Sequence, residues 1–333
     1  MGKKHRVKGP LALQKCLSGL PTELIQLILE ELARQAPHLG AWMLRTNSTL
    51  KRWIEPILYY EISLGHQFDQ GVADSKLFAS YCSRPSFFTE HVKVLSIGPA
   101  TLSSFVVPFL TACTSVKSLT LRCQFYLLLF GTLEDKRAFA EPYWQAISLP
   151  QLRPTRLDID LYQHLILFPK FEATHSLFSN VTHLELDCDP ECLFLNENLL
   201  SLVKVIRLKV NFPSPNPRFR LDPILSGINT AAKFCPPNAN ICLIWLAGIP
   251  LEEVISTASI LRISRGSLGS QVVLGTRTLD KDRDVLDRPG YQCILANWCL
   301  KMDGLDDIWK QAERIVEKRL NSEARVAGLS FGS

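Results

Sequence analysis

Between Leu20 and Leu32 the apolar positions Leu24, Ile25, Ile28, Leu29 and Leu32 recur at steps of one and three, which keeps them on one helical face. Pro21 fits the first turn, where a missing N–H costs nothing, Glu23 complements the positive end of the helix dipole, and Pro37 is the expected stop. A second apolar set, Leu39, Trp42, Met43 and Leu44, precedes a helix that Asn47 or Ser48 caps and that runs to about Pro56. Three short helices are predicted. A unit this small cannot bury every apolar side chain it displays, so part of its surface is expected to meet a partner or the next domain.

Further along, the period changes from helical to two. Five segments share one pattern: VKVLSI around Leu95, VKSLTL around Leu119, PTRLDI around Leu157, VTHLELD around Leu184 and VKVIRLKV around Ile206. The marked residues are 24, 38, 27 and 22 positions apart, scattered around the period of leucine-rich repeats, with one long insertion after Leu121. Each repeat is expected to add a parallel strand and return through a helix or loop, because one unit cannot bury its apolar face until neighbours stack on it. Alternation turns Leu95, Ile97, Leu119, Leu121, Leu157, Ile159, Leu184, Leu186, Ile206 and Leu208 inward. It turns Thr120, Arg122, Asp158, Asp160, His183, Glu185, Asp187, Arg207 and Lys209 outward, a face acidic in the middle and basic at both sides. Charge complementarity on that face predicts a protein-substrate site carried by Arg122, Asp158, Asp160, Glu185, Asp187 and Arg207.

NFPSPNPR, residues 211–218, interrupts the pattern with three prolines and reads as a surface loop. Ile241 to Leu246 and Gln271 to Gly275 read as two more buried strands with Leu251 to Leu261 as their crossover helix. After a polar turn over 280–290, helices are expected over 291–300 and 305–320. The second is amphipathic through Ile308, Ala312, Ile315, Val316 and Leu320, with Trp309 sealing the end of the stacked repeats.

Leu20, Pro21, Glu23, Leu24, Ile28 and Leu32, then Trp53 followed by Glu55-Pro56-Ile57-Leu58-Tyr59, resemble an F-box. Together with the repeats, the chain resembles fungal, basidiomycete-type F-box proteins with degenerate leucine-rich repeats. The resemblance covers about residues 18 to 64 and implies that Leu20, Pro21, Leu24, Ile28 and Trp53 contact a Skp-type adaptor, and through it a cullin, while the rest of the chain selects a protein substrate. The implied architecture is α/β: a short N-terminal three-helix F-box-like unit followed by an irregular leucine-rich-repeat-like solenoid with parallel strands and C-terminal helices. Its expected divisions are a basic leader (1–17), the helical domain (18–64), a connector (65–90), the repeat domain (91–320) and a tail (321–333).

Composition narrows the alternatives. With 47% hydrophobic and 21% charged residues, the chain has ample apolar material for a core. Lys3, Lys4, Arg6 and Lys8 account for most of the net charge of +5, so the remainder is close to neutral and no nucleic-acid-binding face is expected. The apolar runs at Phe125 to Phe130 and Ile241 to Ala247 fall far short of a bilayer span, and no secretory signal pattern opens the sequence. A cytoplasmic or nuclear location without membrane attachment is the expectation.

Ten cysteines occur without a CxxC pair and read as reduced, mostly buried thiols. His183, Cys188 and Cys192 lack a second pair at zinc-finger spacing, so no metal is assigned. Asp158-Ile159-Asp160 spells a DxD, but no phosphate-binding glycine loop stands beside it. No GxSxG, HExxH or P-loop spacing is present. The sequence therefore predicts a receptor that brings two proteins together, with no cofactor and no catalysis of its own. The alternative is a leucine-rich-repeat interaction scaffold not attached to a ubiquitin ligase.

Overall fold

The computed structural model describes residues 19–65, 76–77, 79–80, 83–98, 101, 103–122, 142–160, 175–187, 200, 202–212, 221–246, 259, 262–263, 266–276 and 303–326. Three helices open the described chain: α1 (Thr22–Gln35), α2 (Pro37–Met43) and α3 (Ser48–Leu58). Pro21 stands one residue before α1, and Pro37 both follows α1 and opens α2, where its fixed φ and absent N–H suit a first turn. Asn47 caps α3, its side chain accepting from the Thr49 N–H at 2.7 Å. Leu29, Ala33, Met43 and Ile54 form the buried centre of this unit, with Ile25, Leu32, Leu44, Leu50, Trp53, Ile57 and Leu58 packed around them.

The remainder is α/β, built on one open sheet of eight parallel strands in chain order. The strands are β1 (Glu61–Leu64), β2 (Val94–Ile97), β3 (Ser118–Leu121), β4 (Arg156–Asp160), β5 (His183–Asp187), β6 (Arg207–Phe212), β7 (Ile241–Leu246) and β8 (Val272–Thr276). Helices α4 (Pro85–His91), α5 (Ser103–Ala112) and α6 (Leu221–Lys233) lie between strands, and α7 (Asp303–Val326) follows the last. A parallel pair needs a crossover, and here each crossover delivers the chain to the next position on the same advancing edge.

Repetition is written into the backbone. The Tyr60 carbonyl accepts from the N–H groups of Lys93 and Val94, that of Lys93 from Lys117 and Ser118, and that of Lys117 from Thr155 and Arg156. Thr155 then accepts from Thr182 and His183, and Thr182 from Ile206 and Arg207, all at 2.8–3.2 Å. Each junction thus satisfies two successive amides with one carbonyl of the preceding unit. Three residues before the first inward strand position, Val92, Val116, Pro154, Val181, Val205 and Ala239 are all buried. The apolar spacing and the backbone bonds therefore repeat together.

Alternation sorts the side chains as expected over β2 to β5. Leu95, Ile97, Leu119, Leu121, Leu157, Ile159, Leu184 and Leu186 are buried in one core with Phe88, Phe109, Tyr143, Ile147, Phe178 and Ile228. Ile206 departs from the expectation: it is 39% exposed, and Leu208 is the register partner of Leu184. The VKVIRLKV segment can match the repeat at two settings two residues apart, and pairing with β5 selects the one in which Leu208 and Val210 are buried and Ile206 stands just before the strand, at the junction position of Lys117 and Thr182. The sheet also begins earlier than the expected domain boundary, at Glu61, and α4 occupies part of the expected connector. EISL is as short as β2 and β3 but lacks the Val-Lys approach that marks those two in the sequence. The expected leader (1–17) and the helix over 291–300 lie outside the described residues, as does nearly all of the crossover helix over 251–261.

The face opposite the main core changes character along the sheet. Over β4 and β5 it carries Arg156, Asp158, Asp160, His183, Glu185 and Asp187, whereas β7 and β8 present Ile241, Leu243, Trp245 and Val273. These four pack against Trp309, Ala312, Ile315 and Val316 of α7 in a second core. Helix α7 therefore covers a sheet face, which is a different position from the end cap expected of Trp309. The physical cause is the hydrophobic content of ICLIWL and VVLGT, strands apolar on both faces.

Candidate functional site

Two regions carry the residues singled out by sequence. In the helical unit, α1 has two apolar stripes rather than one. Ile25, Leu29, Leu32 and Ala33 face the unit's own core, while Leu24 and Ile28, each 46% exposed, join Leu20 and Leu27 on the outside. Leu39 and Trp42 of α2 are exposed as well, and so is Pro21. Five large apolar side chains exposed on two consecutive helices, with Leu20 just before the first, are a larger apolar display than scattered single exposures. Trp53 differs from the other proposed adaptor contacts, being partly buried against the unit's core. Leu27 escaped the sequence reading because one helical stripe accounted for the pattern.

An ion pair ties this unit to the start of α4. Arg84, just before that helix, meets Glu55 of α3 at 2.8 Å, and Tyr59 packs edge-on against Phe87 and Phe88, both with ring centroids 5.5 Å away.

On the sheet, the structure brings Arg122, Asp158, Glu185 and Asp187 into one network and adds Lys209 and Asn211. Register places Asp158, Glu185 and Lys209 side by side on β4, β5 and β6, with Asp187 beside Asn211 one step along. Arg122, directly after β3, donates from Nε to both Asp158 oxygens at 2.9 and 3.1 Å and from Nη2 to Glu185 Oε1 at 2.9 Å. Its Nε lies 3.5 Å from Asp187 Oδ2. Glu185 Oε1 also accepts from Lys209 Nζ at 2.7 Å and Asn211 Nδ2 at 2.8 Å. Asn211 Nδ2 reaches Asp187 Oδ1 at 2.5 Å as well.

These surroundings set the protonation. Burial raises Asp158, reinforced by the Glu185 carboxylate and opposed by Arg122, leaving it at about 8. Burial raises Asp187 too. Burial also works against charge on Glu185, but Lys209 and Arg122 outweigh it and hold that carboxyl below its ordinary value. Three carboxylates facing two cations cannot all ionise cheaply, and Asp158, whose burial and Glu185 neighbour outweigh its pairing with Arg122, keeps its proton up to about 8.

Two residues expected to be freely displayed are engaged. Lys209 is 1% exposed, lying 5.6 Å from the Trp245 ring centroid, and is an internal member of the network. Arg207 is held by Glu313 of α7, its guanidinium 5.6 Å from the Trp309 ring centroid. His183 meets the same Trp309 edge-on. For Arg207 and His183 the cause is α7, whose placement over the sheet no local pattern specifies, whereas Lys209 is drawn in by Glu185 and the Trp245 ring. Asp160 is half-buried and lies beside Asp187 in register.

A serine and a histidine also meet, with Ser148 Oγ 2.9 Å from His175 Nε2. The polarity is wrong for nucleophile activation. His175 Nδ1 accepts from the Leu177 N–H at 3.2 Å, so in the neutral ring the proton sits on Nε2 and points at the serine, while Ser148 Oγ donates to the Trp144 carbonyl at 2.6 Å. The pair closes a turn before the short helix Ser176–Phe178. Among the described residues, no group of His, Cys, Asp and Glu is arranged to hold a metal ion. Cys188 and Cys192 lie outside the described residues. No described helix is long and apolar enough to cross a membrane.

Comparison with known proteins adds no relative: no family model matches the chain, and no curated protein or solved structure matches it either.

Proposed function

We propose that this chain is a substrate-receptor subunit of a Skp/cullin/F-box ubiquitin ligase. Its helical unit docks a Skp-type adaptor through Leu20, Pro21, Leu24 and Ile28, joined by Leu27, Leu39 and Trp42, and its sheet holds a protein substrate. The supporting observation is the outer stripe on α1 and α2. The three helices fill their own core with other residues, so the exposed leucines and Trp42 are surplus to folding. Trp53 belongs to the platform that supports the stripe. The repeated strand junctions support a leucine-rich-repeat-like domain, whose sheet face offers polar groups at regular spacing. Holding substrate and ligase on one chain raises their effective concentration, and catalysis resides in the other subunits.

Co-purification with a Skp-type adaptor tests the proposal. The wild type is expected to capture the adaptor in a one-to-one complex. Leu24→Asp with Ile28→Asp is expected to abolish capture without unfolding, since both side chains face solvent in the free chain. Folded wild type that fails to capture the adaptor, or a double variant that captures it undiminished, overturns the assignment.

A further inference from the structure

The network of Arg122, Asp158, Glu185, Asp187, Lys209 and Asn211 is short of positive charge and of hydrogen-bond donors at once. Among the described residues, Asp158, Glu185 and Asp187 face only Arg122 and Lys209, one cation too few. Asn211 is 7% exposed, spends Nδ2 on two carboxylates, and leaves Oδ1 buried without a partner. Lys209 is buried beside the Trp245 ring, but Asp187, the most open of the three carboxylates, keeps 29% of its side chain exposed on the sheet face over β4 and β5. The excess of carboxylates over cations points to a missing cation where Asp187 meets solvent.

We infer that this sheet face docks a basic segment of a partner protein, one lysine or arginine side chain of which completes the network beside Asp187. The inference rests on the receptor reading above and names the chemical class of substrate. Arginine suits the place better than lysine, because a planar guanidinium donates to two carboxylates at once. The incoming cation competes with a proton. Asp158 is faced by Arg122 after β3, by Glu185 and Asp187 of β5, and by Lys209 and Asn211 of β6, and in that company it retains its proton up to about 8. Docking a cation expels that proton, so affinity rises with pH up to about 8 and then levels off.

Isothermal titration of the full chain tests this with an acetylated, amidated peptide, Gly-Ser-Gly-Arg-Gly-Ser-Gly, against the same peptide carrying uncharged citrulline. The arginine peptide is expected to bind at least ten-fold more tightly at pH 8, and its affinity to fall up to ten-fold per unit toward pH 6. Asp187→Asn, which balances the network at two charges of each sign, is expected to erase the preference, and Asp187→Glu to restore it. Equal binding of the two peptides, an affinity independent of pH, or an Asp187→Asn variant that keeps the preference each overturns the inference. Adaptor capture is scored separately on the wild type and on the Leu24→Asp, Ile28→Asp variant. Capture without peptide preference therefore removes only the basic-segment inference, and peptide preference without capture removes only the ligase reading.

Discussion

Glu185 Oε1 accepts from three donors, Arg122, Lys209 and Asn211, and that one oxygen holds three strands' worth of side chains together. Removing a partner from such a network leaves charge uncompensated in a poorly solvated place. Arg122→Ala is expected to lower stability by about 3 kcal/mol, read from urea denaturation at pH 7. Asp158 gives a sign that is easy to test. Its folded-state pKa of about 8 lies above the unfolded value of about 3.9, so between those values the folded chain holds a proton that the unfolded chain has released. Its contribution to stability is complete below pH 4 and is lost as pH rises toward 8, by up to about 1.4 kcal/mol per unit. The lowered Glu185 works in the opposite direction only in acid. Urea midpoints of Asp158→Asn are therefore expected to change less between pH 5 and 8.5 than those of the wild type, and identical slopes would remove this account. These residues were legible in the sequence as outward positions, but their mutual pairing was not, because strand register decides which charges become neighbours.

Among the elements, α7 departs most from what a local pattern conveys. Its apolar stripe was visible, as was the burial of Ile241 to Leu246, yet nothing in either segment says that one lies on the other. The contact closes the second core, and Trp309→Ala is expected to cost about 3 kcal/mol in urea unfolding while freeing Arg207 and His183. Close packing on the same face constrains Gly275, where an added Cβ would stand 2.5 Å from a Trp245 ring carbon. Gly275→Ala is expected to destabilise by about 1–3 kcal/mol, and a neutral result would mean that the Trp245 ring moves at little cost. The caps behave more simply. Asn47 acts where its residue type predicts, because a capping bond spans two residues and needs no tertiary partner.

For the whole molecule, the decisive feature is that eight strands follow one another in sequence order and that the first five of their junctions repeat one backbone pattern. Such a sheet grows by addition at one edge, and each new strand depends on the surface left by the last. The helical unit is tied to α4 through Tyr59 and the Arg84–Glu55 ion pair, so Arg84→Ala is expected to loosen the attachment while leaving the three-helix core intact. Limited proteolysis would show this as faster cleavage between residues 59 and 85, with the helical fragment still resistant.

The amino-acid sequence by itself determined the helices of the N-terminal unit, the inward leucines of β2 to β5 and the repeating approach to each strand. All of these are set by spacing along a few residues, where the pattern of apolar side chains and the geometry of helix or strand must agree. Tertiary structure alone decided that the register of β6 follows Leu208 instead of Ile206, that α7 covers the apolar end of the sheet, and that Arg122 reaches across to Glu185. Those outcomes depend on which surfaces meet after the chain has folded back over long separations, and the energy of burial or of an ion pair exists only once both sides are in place.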